Sequence, residues 1–299
     1  DLISAKESVK VKDREKSKLD WDDRLTIEIN GDAPVCESIH VEAADPATPT
    51  IFLCGNSTVV DQENEPWASW GQMLPRFLTD KISVANHAES GLSANTFISG
   101  NRLKKIMSQI KKGDYVFVEF GHNDQKQKGP GKGAYYSFMT SLKTFIDQIQ
   151  EKGGQPVLVT PTRRRRFDKE GRTVNTHGEY PDAVRWIAAK ENVPLIELNN
   201  MTGTLYEALG ESGSKKAFVH YPMGSFPGQK KELADNTHFN PYGAYQIAKC
   251  VIEGMKKATP ELTKYLKTDT SYAPAKPDNV DSFHWCPAPF CEMEKPDGN

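Results

Sequence analysis

A chain of 299 residues is long enough for one large domain, or for one domain with modest additions. Hydrophobic residues at 37% and aromatics at 9% can build a sizeable core and argue against disorder. A net charge of -2 offers no basic field for nucleic acid or anionic membrane, and no apolar run approaches the roughly 20 residues that span a bilayer.

Residues 1–20 are polar and charged. Residues 24–30 (Arg-Leu-Thr-Ile-Glu-Ile-Asn) alternate apolar and polar, Asn30-Gly31-Asp32 supplies turn chemistry, and Ser38 to Glu42 alternates again. The pattern predicts two antiparallel strands: an appendage over residues 1–47, or the remnant of an upstream β domain. From about residue 48 the rhythm changes. Short apolar runs at Thr50–Cys54, Ile82–Ala85, Tyr115–Phe120, Pro156–Thr160 and Pro194–Leu198 read as buried strands. Helical patterns lie between and after them, near 66–79, 101–112, 134–152, 179–191, 200–209 and 241–257. This alternation predicts an α/β fold, a flavodoxin-like three-layer α/β/α sandwich on a five-stranded parallel sheet, over residues 48–267. Residues 268–299, rich in Pro and Asp, are expected to wrap the surface as a tail.

The cysteines Cys36, Cys54, Cys250, Cys286 and Cys291 fit no zinc or redox spacing. Cys54 and Cys250 fall in apolar contexts that suit a buried thiol. A disulfide involving Cys286 or Cys291, with each other or with Cys36, is the expectation for an oxidising compartment.

In open parallel sheets the ligand site lies beyond the carboxyl ends of the strands. The first strand ends Cys54-Gly55-Asn56-Ser57-Thr58, so a hydroxyl follows a glycine turn, and the other reading is that Ser57 or Thr58 caps a following turn or helix. After the second strand comes Glu89-Ser90-Gly91-Leu92-Ser93, in which Gly91 offers a backbone N–H or simply a turn. After the third comes Glu119-Phe120-Gly121-His122-Asn123-Asp124, where the Asn123 amide can donate to an oxyanion or merely belong to a loop. Asp235-Asn236-Thr237-His238 precedes the last helical pattern. An Asp three residues before a His can hold the imidazole's Nδ1 while Nε2 takes a proton, or the pair can be a helix cap beside a surface His.

Taken in order, Gly-Asn-Ser-Thr, Gly91, Gly-His-Asn-Asp and Asp-x-x-His resemble the four sequence blocks of SGNH (GDSL-like) hydrolases. Within that class, Glu119–Asp124, Asp235–Phe239, Val159–Arg164 and His177–Pro181 are similar to the rhamnogalacturonan acetylesterase family. The resemblance covers roughly residues 48–258. It implies a serine carboxylic-ester hydrolase with Ser57 as nucleophile, His238 as base and then acid, and Asp235 as its orienting carboxylate. It also implies an oxyanion hole made by the Ser57 and Gly91 N–H groups and the Asn123 side chain. One position departs: the family usually carries Asp where this chain has Asn56, which removes a charge next to the nucleophile.

The implied substrate is an acetylated plant cell-wall polysaccharide or oligosaccharide, rhamnogalacturonan (pectin) first, handled outside the cell in a secreted or periplasmic setting. No cofactor and no metal is required, no nucleic acid or membrane partner is expected, and the oligomeric state is open. Candidate substrate contacts are Asn56, His122, Arg163, Arg164, His177, Tyr180 and Tyr221. The run Arg163 to Arg166 offers guanidinium forks for galacturonate carboxylates, with at most one or two facing the site, or is a solvated charge run. Trp67, Trp70, Tyr180 and Tyr221 are candidates for stacking on sugars, with Trp70 better suited to the core. The stretch 211–234 is expected to form a mobile wall beside His238. Two other readings remain: an acetylesterase acting on xylan or small acyl esters, and a carbohydrate-binding protein whose catalysis is impaired by Asn56.

Overall fold

The computed structural model describes residues 9–16, 18, 25, 27, 29, 31–268 and 271–286. Five parallel strands form its central sheet: β1 (Thr50–Cys54), β2 (Ser83–Asn86), β3 (Tyr115–Glu119), β4 (Gln155–Val159) and β5 (Leu195–Ile196). Their order is β2-β1-β3-β4-β5, the doubly wound arrangement expected from the alternation of runs. Helices α1 (Trp70–Met73), α2 (Ala94–Ser99), α3 (Arg102–Met107), α4 (Met139–Glu151), α5 (Tyr180–Glu191), α6 (Leu198–Gly213) and α7 (Pro241–Ala258) cover it.

The strands read as continuous apolar runs because both faces are covered. Ile51, Leu53, Phe117, Val157 and Val159 pack on one side with Trp70, Leu205, Tyr206, Ile247 and Val251. Phe52, Cys54, Val116, Val118 and Leu158 pack on the other with Phe97, Ile106, Phe145, Ile146 and Ile187. Alternate residues of one strand therefore serve two cores. Cys54 and Cys250 are buried thiols, and Cys36 and Cys286 are free; Cys291 lies outside the described residues.

Three expectations need correction. Helix formation around 101–112 is confined to α3, with α2 added before it, because Asn101 takes a left-handed φ of 61° between them. The wall expected over 211–234 is partly regular: β6 (Phe218–Tyr221) pairs antiparallel with β7 (Leu233–Phe239), which carries Asp235 and His238. Among the described residues the N-terminal pair is not seen: Ser38–Glu42 is exposed chain outside any strand, as are Leu25, Ile27 and Ile29, while residues 24, 26, 28 and 30 lie outside the described residues. Two such strands have no third surface on which to bury an apolar face.

Residues 9–16 and 18 dock instead largely through charge. Arg102 Nη2 donates to both Glu15 oxygens at 2.6 and 2.5 Å, and Lys18 Nζ meets Glu89 Oε2 at 3.2 Å. Lys12 Nζ donates to the Ser90 carbonyl, so this segment grips the turn that follows β2. The expected tail packs as well: Tyr272, Val280 and Phe283 lie on the core, and the Tyr242 hydroxyl donates to Asp278 O at 2.7 Å.

Candidate active site

Four chain segments converge at the carboxyl end of the sheet. β1 runs into Gly55, where a Cβ would stand 2.4 Å from Val59 Cγ2, so only glycine permits the bend that delivers Ser57. β7 ends at Phe239, and Asn240 caps α7 by accepting from Gly243 N at 3.0 Å, with Pro241 in the first turn. This strand-to-helix switch fixes where His238 sits.

The Ser57 Oγ lies 2.7 Å from His238 Nε2, and His238 Nδ1 lies 2.8 Å from Asp235 Oδ2. All three side chains are buried or nearly so. Asp235 Oδ1 accepts from Thr237 N at 2.8 Å and His238 N at 3.0 Å, a local turn that locks the carboxylate onto the ring. Burial alone would raise the Asp235 carboxyl, but the hydrogen bonds from His238 and Thr237 outweigh it and hold the group at about 2. An ionised carboxylate at Nδ1 fixes the proton there and leaves the Nε2 lone pair facing the serine hydroxyl.

Gly91, with φ of +77°, lies in the turn that follows β2, and Glu89 N of that turn donates to Gly55 O at 3.2 Å, next to the Ser57 bend. Asn123 Nδ2 donates to Leu92 O at 3.0 Å, tying the β3 loop to that turn. Asp124 ties them again, accepting from Ala94 N and Gly121 N at 2.9 Å each. Neither the Ser57 nor the Gly91 N–H has a protein acceptor among the described residues. Free backbone N–H groups and an amide side chain are the donor types from which an oxyanion hole is built.

Residues 53–245 match the GDSL-like lipase/acylhydrolase family. The chain belongs to this family. Bacillus subtilis rhamnogalacturonan acetylesterase RhgT is 43% identical over 209 residues, 69% of this chain and 89% of RhgT. The "Probable rhamnogalacturonan acetylesterase YesY" of Bacillus subtilis is 33% identical over 219 residues, 72% of this chain and 95% of that one. The crystal structure of the Bacillus subtilis protein YxiM superposes with a TM-score of 0.61 at 27% identity, covering 71% of this chain and 57% of that one. As a member of the rhamnogalacturonan acetylesterase group of GDSL-like hydrolases, this chain is a carboxylic-ester hydrolase.

The departure at Asn56 has a clear structural context. Asn56 is fully buried, and its Oδ1 accepts from Thr58 N at 3.1 Å and Thr58 Oγ1 at 3.0 Å. The same Thr58 hydroxyl lies 3.2 Å from Glu119 Oε1, a carboxyl buried behind the nucleophile that also accepts from Trp70 Nε1 and Thr162 N. An aspartate at 56 would set a second carboxylate one hydroxyl away from Glu119, whereas Asn56 is neutral. In the sequence, the signal for Glu119 is a lone charge closing an apolar strand run.

Burial pushes the Glu119 carboxyl up to about 7 against its three hydrogen bonds. Its folded value lies above the unfolded one, so its contribution to stability is complete below about pH 4.5 and is lost as pH rises through about 7. Between pH 5 and pH 8 the stability difference between wild type and Glu119→Gln should shift toward the variant by about 2 to 3 kcal/mol. Denaturant titrations at the two pH values measure it, and a pH-independent difference would contradict a buried titrating Glu119.

The remaining candidates divide. Arg164 faces the site side, with Nη1 3.4 Å from His177 Nε2 and Nη2 donating to His122 O at 3.3 Å. His122 and His177 meet edge-on at 4.3 Å, both buried, and desolvation drives each imidazole toward its neutral form. Both His122 ring nitrogens are buried without a partner among the described residues. Tyr180 and Tyr221 are half-buried, their hydroxyls engaged with Asp124 O and Asn240 Nδ2. Arg163 is a correction: it packs on Gly203 and donates to Thr173 O at 3.0 Å, which turns it toward α6 and away from Ser57. Trp67 is also a correction, since it is buried and offers no exposed face to a sugar, while Trp70 is buried in the core as expected. One further cluster, Asp32, His284 and Cys286, brings metal-ligand atoms within 4.8 Å of one another, and it includes no residue of the Ser57 group.

Proposed function

We propose that this protein removes O-acetyl groups from a plant cell-wall polysaccharide, rhamnogalacturonan first, through an acetyl-enzyme on Ser57. The observation that carries the reading is the unbroken hydrogen-bond series Ser57 Oγ, His238 and Asp235 beside two uncommitted backbone N–H groups. Ser57 Oγ attacks the acetyl carbonyl while His238 Nε2 accepts its proton and Asp235 stabilises the imidazolium. The oxyanion is received by the Ser57 and Gly91 N–H groups and the Asn123 amide. Collapse expels the sugar hydroxyl, to which His238 returns the proton, and water then releases acetate by the same sequence in reverse.

The substrate class is supported by the names of RhgT and YesY and by Arg164 beside His122 and His177, where a guanidinium can meet a uronate carboxylate. A polymer of this kind is met outside the cytoplasm, so the reading includes secretion or a periplasmic location. No described helix is long and apolar enough to cross a membrane. The impaired-binder reading is disfavoured because Asn56 keeps both its bonds to Thr58.

Acetate release from acetylated rhamnogalacturonan and from acetyl-xylan, each with wild type and Ser57→Ala, tests the proposal. Faster turnover of acetyl-xylan removes the pectic assignment, and equal rates in the two proteins remove the mechanism. Asn123→Ala should lower kcat by about 10²- to 10³-fold with little change in KM, because its donor acts chiefly on charge formed in the transition state. A loss carried mainly by KM would instead make Asn123 a ground-state contact.

A further inference from the structure

A cavity of about 520 Å³ opens beside the His238 strand, walled by Pro66, Tyr221, Asn240, Tyr242, Phe283 and Trp285. Its position follows from the chain: Asn240 stands two residues after His238, at most about 7 Å away along the backbone. The cavity therefore lies close to the strand that carries His238. Phe283 and Trp285 come from the C-terminal segment, beyond the residues 53–245 that match the family.

Trp285 is an unusual wall. Its ring is 40% exposed, yet it is held in place at two points. Nε1 donates to Glu65 Oε1 at 2.8 Å, which satisfies the indole's polar atom. The Phe283 ring runs parallel to it, with centroids 6.3 Å apart and 9° between the planes, and is braced edge-on by Tyr242 at 5.6 Å. A large apolar face is thus kept flat, oriented and open to the cavity. Opposite it stand polar groups: the Tyr221 hydroxyl accepts from Asn240 Nδ2 at 3.1 Å, which leaves its own proton available to a ligand. A volume in the range of small-ligand clefts, one braced aromatic plane and a few hydrogen-bonding groups is the chemistry that receives a pyranose ring, whose C–H face is apolar and whose edge is polar.

We propose that this cavity is a sugar subsite of the esterase, in which Trp285 stacks on one ring of the glycan while a neighbouring acetylated ring sits at Ser57. The inference rests on the reading that the substrate is an acetylated glycan, and it does not depend on which one. The C-terminal segment is then part of the substrate cleft, so length of glycan, rather than the acetyl group alone, contributes to recognition.

Calorimetric titration of Ser57→Ala with deacetylated rhamnogalacturonan oligosaccharides, and separately with xylo-oligosaccharides, tests the subsite. Adding Trp285→Ala should weaken binding of the preferred oligosaccharide about tenfold. Trp285→Phe, which keeps a ring, should stay within about threefold. Trp186→Ala is the control, an equally exposed indole on α5 (47%) outside the cavity, and should bind like its parent. Unchanged affinity in Trp285→Ala, an equal loss in Trp186→Ala, or no binding of either oligosaccharide to Ser57→Ala overturns the proposal. A tenfold Trp285 effect with xylo-oligosaccharides alone would remove the pectic reading and leave the subsite standing. Near-ultraviolet circular dichroism of each variant separates a lost contact from a disturbed fold.

Discussion

Ser57→Ala and His238→Ala should each lower kcat by about 10⁶-fold, and the double variant should fall no further. The expectation comes from one contact, the 2.7 Å between Ser57 Oγ and His238 Nε2. A hydroxyl without a base and a base without a hydroxyl are equally unable to form the acyl bond, so the two deletions remove the same step. The amides at Ser57 and Gly91 and the Asn123 side chain remain in both variants. They should sustain a residual rate about 10³- to 10⁴-fold above water, as oxyanion donors and binding do without a working triad. Pre-steady-state release of p-nitrophenol from its acetate supplies the measurement. Wild type should show a burst where deacylation is slower than acylation, and the variants should show none. Losses that multiply in the double variant would mean that the two residues act in separate steps, and the hydrogen-bonded series would then be structural.

The parts of this protein that a reader can find in the sequence are those whose cause is local. β1, β3 and β4 stand out because strands covered on both faces need apolar side chains at every position. β5 is shorter than its apolar run, since after Leu195 and Ile196 the chain turns into α6, where Asn199 N donates to Thr160 Oγ1. The hairpin of β6 and β7 escapes notice because Leu233–Phe239 carries four polar residues in seven and its partner lies beyond an irregular connection rich in Pro and Gly. The candidate site motifs are legible because each is short and three of them follow strands of the central sheet. Direction is not legible in the same way: four consecutive arginines look alike, yet Arg163 points to α6, Arg164 to His122, and Arg165 to Ser214 and Asn236. Least visible are the contacts between distant charges. Glu15 and Arg102 are 87 residues apart, and Lys18 and Glu89 are 71 apart, so no periodicity announces that a polar N-terminal segment will brace the Gly91 turn.

That bracing suggests how the site is kept ready. The turn Glu89 to Leu92 is held from outside by Lys12 on the Ser90 carbonyl and Lys18 on Glu89, and from inside by Asn123 on the Leu92 carbonyl. Oxyanion donors work without reorganisation only if they are already aimed, so if Gly91 serves as proposed, a turn held from two sides would keep its N–H in place. The nucleophile is fixed similarly, with Asn56 and Glu119 sharing the Thr58 hydroxyl beneath it.

Asp235→Asn should lower kcat by about 10⁴-fold while leaving the fold intact. The two oxygens of Asp235 have separate tasks, and asparagine can perform only one of them. Oδ1 receives the Thr237 and His238 N–H groups, which an amide oxygen can also do, so the local turn survives. Oδ2 receives the proton of His238 Nδ1 at 2.8 Å. An amide NH₂ in that place is a donor facing a donor, and the imidazole relieves the conflict by moving its proton to Nε2, where it faces Ser57. The base is then present, correctly placed and in the wrong tautomer. Because the wild-type carboxyl is held at about 2, Asp235 stays ionised throughout the working pH range. Protonation of Asp235 should therefore contribute nothing to the pH dependence of the wild-type rate between pH 5 and 9. Asp235→Ala removes both tasks and should add a loss of thermal stability that Asp235→Asn does not show. A deficit below about 100-fold in the asparagine variant, with its melting temperature unchanged, would mean that His238 finds its tautomer by another partner.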